Sequence, residues 1–236
     1  MLLVNGREIP VTVVRSRRAR RYVLRLRADG LARLTIPRSG SAREAWEFAE
    51  RQGEWLERQL QDLALRPVRP KEWRIGTEIL FRGELVKIEA ASDLTDPTDP
   101  SDQKSTIQLG DQIIPIASTT GDLRPAIERY LRALASRELP ARTLEFAALH
   151  QLSVKRVTVR AQRSRWGSCS FKSVISLNWR LIQTPPFVRD YIILHELMHL
   201  RQMNHSARFW REVEGACPDY RTAKLWLKEN PGLLDR

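Results

Sequence analysis

The stretch RDYIILHELMHLRQ (189–202) decides how the rest of the chain is read. It holds good helix formers and no breaker, so His195 and His199, four residues apart, fall one turn from each other on a single helix face. Two imidazoles at that spacing reach one metal ion at about 2 Å. Glu196, next to the first of them, can then stand over a water on the metal as a general base. The chain has four histidines, and three of them lie within the eleven residues from 195 to 205. That concentration makes a chance HExxH a poor explanation.

Working outward on the C-terminal side, His205 is the natural third ligand at HExxH-x5-H spacing. Metzincins share this spacing and place a Gly three residues after the second His to allow the turn. Gln202 stands there in this chain, so the turn has to be made otherwise. Asn204 is the expected left-handed residue, and Ser206 the expected cap of a helix beginning at about Ala207. Should His205 not serve, Glu212 or Glu214 is the alternative carboxylate ligand. Three imidazoles leave a coordination position open, as catalytic sites do, whereas a structural site is usually closed by four ligands. Tyr220, Arg165 and His150 are the candidates for a second electrophile at the oxyanion, with Tyr220 favoured. Cys169 reads as a small packed residue rather than a nucleophile.

On the N-terminal side, 154–160 and 174–182 have strand patterns flanking RSRWGSC, and the strand at 174–182 offers an edge to an extended peptide. Thr184 is expected to cap the HELMH helix with Pro185 as its first residue. Asp122 caps a helix that Pro140 breaks or kinks, followed by a second helical stretch to about His150. Earlier still, 71–90 is strand-like with a turn at Arg82-Gly83, 92–105 is an exposed Asp/Pro/Ser loop, and STIQLGDQIIPIA suggests a hairpin. Ser41 and Glu44 form a capping box for a helix over 42–64, ended by Pro67 and Pro70. YVLRLRADGLARLTI (22–36) alternates around Asp29-Gly30. A three-residue loop with Gly30 left-handed pairs Leu24 with Leu34 and Leu26 with Ala32, and leaves Arg25, Arg27 and Arg33 on the outward face. The expected organisation is a β-rich, basic subdomain with one long helix over 1–118 and a helix-rich domain over 119–236.

Composition bounds the class. The chain has 236 residues, 42% of them hydrophobic and 29% charged, with 13 Pro. It is neither disordered nor fibrous, and no apolar run approaches the length of a membrane span. Neither a signal peptide nor membrane association is expected, and two distant cysteines favour a reducing cytoplasm. The net charge of +12 is concentrated near the start, where residues 1–38 hold ten arginines against Glu8 and Asp29, an excess of eight positive charges. DNA or another polyanion is therefore a candidate partner.

WGSCS, ISLNWRL, PxxVRDYIILHELMHLRQMNHSARFW and PDY together resemble the YgjP-like metallopeptidases, relatives of the SprT and Wss1-like zincins. The match is close over 155–228 and looser over the whole chain. The resemblance implies an α+β fold with a compact zincin-like catalytic domain, Zn2+ on His195, His199 and His205, Glu196 as catalytic base and a peptide or protein as substrate. Two other readings stand beside it. One is a DNA-associated protease acting on DNA-bound proteins, and the other a non-catalytic nucleic-acid-binding module with a structural zinc.

Overall fold

The computed structural model describes residues 1–4, 6–27, 29–64, 72–91 and 105–233. They form two units, Met1–Arg69 and Pro70–Asp235. In the first, β1 (Leu2–Val4) and β2 (Arg7–Ile9) make an antiparallel pair. Strands β3 (Val11–Ser16), β4 (Val23–Leu26) and β5 (Ala32–Pro37) form a second sheet in the order β3-β5-β4. Strand β3 is parallel and β4 antiparallel to β5. The register is the expected one: Leu24 faces Leu34, Leu26 faces Ala32 and Arg25 faces Arg33. Gly30 is left-handed at φ 79°, and Ala28 lies outside the described residues.

Helix α1 (Ala42–Arg51) starts with the Ser41/Glu44 capping box. The helix expected over 42–64 does not run through, because Gln52 leaves helical geometry (φ −95°, ψ 12°) and α2 (Gly53–Ala64) begins afresh. Glycine is a poor helix former, and a Cβ on Gly53 would already touch the Val4 methyls at 3.5 Å. Ala45, Ala49 and Leu56 of these helices share a core with Leu24, Ala32, Leu34 and Ile36 of the sheet. Pro67, Pro70 and all but the last residue of the 92–105 loop lie outside the described residues.

The second unit opens with an antiparallel meander of β6 (Glu78–Phe81), β7 (Glu84–Ala90), β8 (Thr106–Leu109) and β9 (Gln112–Pro115). Helix α3 (Arg124–Leu149) follows, with Asp122 accepting from the Arg124 and Trp73 amides. It is one continuous helix that contains Pro140 rather than ending there. Next come β10 (Arg156–Arg160), β11 (Gly167–Cys169) and β12 (Val174–Asn178), in the order β10-β12-β11. The strand expected over 174–182 stops at Asn178, where a 3₁₀ turn (Trp179–Gln183) takes over. It is also the central strand, paired on both sides, so it has no edge to offer.

The chain closes with α4 (Pro186–Met198), α5 (Ala207–Ala216) and α6 (Tyr220–Glu229). Helix α4 starts one residue later than expected: Pro185 takes the cap position, and the Thr184 hydroxyl donates to Leu181 O at 2.8 Å instead. The units divide at 69/70 and not at 118/119. The reason is apolar burial, since Ile79, Phe81, Ile88 and Ile107 of the meander share one core with Ile127 and Leu131 of α3 and Val188 and Ile193 of α4. Among the described residues no helix is long and apolar enough to cross a membrane.

The meander also fixes where α4 begins. Arg82 and Gly83 form its first turn with φ of 51° and 92°, the positive values that a tight type I′ turn requires. Their amides donate to Ile182 O (3.1 Å) and Gln183 O (3.0 Å). A Cβ on Gly83 would lie 2.5 Å from Pro185 Cγ, at the cap of α4. Gly83→Ala should therefore destabilise the protein by about 2 kcal/mol through backbone strain and overpacking combined. Urea unfolding measures this, and an unchanged midpoint would contradict the docking.

Candidate metal centre

Helix α4 is apolar almost all round: Val188, Tyr191, Ile192, Ile193, Leu194, Leu197 and Met198 are buried. Near its end it presents His195, Glu196 and His199, the last as the C-cap residue still in helical conformation (φ −63°, ψ −20°). The chain then turns through amides of Leu200, Arg201 and Gln202 that donate to Leu197 O and Met198 O. The left-handed residue expected at Asn204 is not used: Asn204 is absent from the positive-φ positions, and its Oδ1 accepts from the Ser206 amide at 3.3 Å. A short side-chain-to-backbone bond shapes the turn in place of a backbone inversion. Ser206 caps α5 as expected, accepting from the Phe209 amide.

That turn brings His205 back over α4. His205 Nε2 lies 3.1 Å from His195 Nε2, and one nitrogen from each of His195, His199 and His205 falls within 4.8 Å of the others. Two imidazole nitrogens on a tetrahedral ion at about 2.0–2.1 Å stand about 3.3 Å apart, so the donor set fits such an ion. His199 Nδ1 lies 3.0 Å from Gln202 O. As donor to that carbonyl it leaves the Nε2 lone pair for a ligand. Burial, then the neighbouring His199 and His205, pushes His195 down to about 3. His195 is therefore neutral at physiological pH, with one ring nitrogen carrying a lone pair for a metal ion.

Phe209, fully buried, is the floor of the cluster. Its ring centroid lies 4.5 Å from His199, 4.9 Å from His195 and 4.8 Å from His205. Trp210 stacks on His205 at 5.8 Å and on Tyr220 at 5.6 Å. Tyr220, 8% exposed, belongs to this aromatic wall, and its hydroxyl faces Arg221 Nε at 3.4 Å. The alternative ligands are engaged elsewhere: Glu212 pairs with Arg201 (2.7 Å) and Glu214 with Arg221 (3.6 Å). His150 caps the end of α3.

Glu196 packs against β11. A Cβ on Gly167 would lie 2.6 Å from Glu196 Cγ and 2.7 Å from Oε1, so this strand position has no room for a side chain. The Cys169 amide donates to the Glu196 carboxylate. Burial pushes that carboxyl up to about 7, opposed by the Arg165 charge and the Cys169 amide. The strand is held in turn by Asn178, fully buried, whose Nδ2 donates to Gln162 O (2.7 Å) and Arg165 O (2.9 Å). Sequence reading found Glu196 but not Gly167 or the Asn178 clamp; WGSC in front of the HELMH helix was the signal. The Cys169 thiol is raised to about 11 by burial and by Glu196, which makes it a poor nucleophile.

The family described as YgjP-like, metallopeptidase domain, matches residues 20–230. The chain belongs to the YgjP-like metallopeptidase family. Its described residues form a mixed α+β architecture of six α-helices and several small sheets. The solved structure of the metallopeptidase zymogen of Pyrococcus abyssi abylysin is similar to 39% of this chain and 95% of that one, at 23% identity and a TM-score of 0.36. No curated protein matches.

Two predictions follow from the Glu196 cradle of this YgjP-like chain. With the metal chelated, Glu196 keeps its proton up to about pH 7 when folded but ionises near 4.5 when unfolded. The unfolded state therefore releases the proton first, and stability falls as pH rises from 4.5 to 7. Glu196→Gln should remove that loss, stabilising the chelated protein by about 3 kcal/mol at pH 8 and hardly at all at pH 4. Denaturant titrations at the two pH values decide it, and a pH-independent effect would contradict the buried carboxylate. Gly167→Ala should displace Glu196 while leaving metal content unchanged, and simultaneous loss of the metal would place the strand against the ligands instead.

Proposed function

We propose that this metallopeptidase is a zinc enzyme in which His195, His199 and His205 hold the ion and Glu196 is the catalytic base. The observation that carries the reading is a three-imidazole cluster joined by no further His, Cys, Asp or Glu among the described residues, with a buried carboxylate on the adjoining helix position. Three donors suit a catalytic site better than a structural one. A bound zinc supplies Lewis acidity, polarising a scissile carbonyl and acidifying water. Glu196 takes the proton of the attacking water and returns it to the leaving amine. A carboxyl whose proton affinity is raised towards neutrality serves both steps. The Cys169 amide bonds the carboxylate, and Gly167 leaves room for it against β11.

Arg165 is the preferred partner for the developing oxyanion. Its charge already acts on Glu196, whereas the Tyr220 ring is fixed between Trp210 and Tyr191. An extended peptide substrate is best accommodated along β11, which is the one of the two edge strands of its sheet that lies against Glu196. Two free cysteines, Cys169 and Cys217, support a reducing cytoplasmic setting.

Elemental analysis and a quenched-fluorescent peptide library test the proposal on untagged protein. One zinc per chain is expected in the wild type and in Glu196→Gln, and little in His205→Ala. Glu196→Gln should lower peptide hydrolysis by about 10²–10⁴-fold. Undiminished turnover in Glu196→Gln, or full zinc in His205→Ala, would overturn the assignment.

A further inference from the structure

The first unit carries a charged face that the peptidase reading leaves unused. In its three-stranded sheet, Arg25 of β4 lies directly opposite Arg33 of β5, which lies opposite Thr12 of β3. Partners across strands share a face, and all three residues are exposed. The alternate rows, Leu24 with Leu34 and Leu26 with Ala32, turn inward to the core. Like charges set directly opposite destabilise a strand pair. Among the described residues neither Arg25 nor Arg33 meets a carboxylate; the ion pair in this hairpin is Arg27–Asp29 at 2.8 Å, at the turn.

The register extends the patch. Ser16 pairs with Pro37 and Val23 with Thr35, so RRARR (17–21), which links β3 to β4, emerges at the same sheet end as Arg38. The four arginines of that link are exposed, as is Arg38. From the Arg25–Arg33 row to this end is about 13 Å at strand rise. Glu44, the acid nearest in sequence to this end, is occupied by Tyr22 and the Ser41 amide. The outward rows that carry Arg25 and Arg33 present no aromatic ring; Tyr22, Trp46, Phe48 and Trp55 pack on the unit's own core.

We infer that this sheet face binds the phosphate backbone of duplex nucleic acid, without reading its bases. A guanidinium fork matches phosphate oxygens two at a time, and the cost of holding Arg25 beside Arg33 is relieved when a polyanion lies across them. Without exposed rings the face lacks the stacking platform that single-strand binders use.

Fluorescence anisotropy with a labelled 25-base-pair DNA of arbitrary sequence, on chelated full-length protein at 50–200 mM NaCl, tests this independently of zinc and turnover. Arg25→Thr/Arg33→Thr should weaken binding at least tenfold at 100 mM salt and lower the log–log salt slope by about 1.8, two lost phosphate contacts. Its melting temperature should be no lower than wild type, because a repulsion has been removed. Arg25→Lys/Arg33→Lys, which keeps the charge, should keep the slope and so separates charge loss from misfolding. Arg129→Thr/Arg137→Thr, exposed positions on α3, should bind as wild type. The inference is overturned if wild type does not bind the duplex, if it binds heparin but not DNA, if the sheet variant binds unchanged, or if the α3 variant loses as much.

Discussion

Helix α4 is buried on nearly every side, so the polar residues it commits to the interior, Glu196 and His199, have to find partners there. Burying a carboxylate without compensation is expensive. Glu196 is accommodated because β11 brings a glycine and a backbone N–H to it: Gly167 provides the space and the Cys169 amide the hydrogen bond. His199 meets Gln202 O on one side and Phe209 on the other. The remaining geometry follows from these two attachments. The first holds the carboxylate against β11, and the second fixes the ring whose other nitrogen lies with those of His195 and His205.

His195 adds a second constraint. Among the described residues its buried Nδ1 has no hydrogen-bond partner, and its Nε2 faces His205 Nε2 at 3.1 Å. Neutral imidazoles at that distance are complemented by the Nε2–H of one ring or by a cation held between two lone pairs. With His199 alongside, the cluster offers the cation three nitrogens, in keeping with the family's chemistry.

Much of this was legible in the sequence wherever spacing alone determines geometry. HELMH placed two imidazoles on one helix face, the x5 interval placed the third, and the Ser41/Glu44 box and the register of the 22–36 hairpin came from short-range patterns with one stereochemical solution. What escaped was set by long-range contact. Gly167 reads locally as loop glycine, and only the crossing of β11 with α4 gives it a role. The centrality of β12 depends on β11 folding back onto it, which no periodicity announces. Helix 42–64 looked continuous because its apolar spacing survives the break at Gln52, and the contact of Gly53 with Val4 lies 49 positions apart in the chain. The unit boundary was misplaced for a similar reason: β-rich composition up to 118 suggested one block, but the meander's isoleucines bury themselves against α3 and α4.

The central claim is that three imidazoles and no thiolate hold the metal, and X-ray absorption at the zinc edge of the zinc-loaded protein tests it most directly. The account predicts a first shell of nitrogen and oxygen only, at about 2.0–2.1 Å, with outer-shell scattering from three imidazole rings. A sulfur contribution at about 2.3 Å, from Cys169 or Cys217, or a shell with two imidazoles, would contradict it.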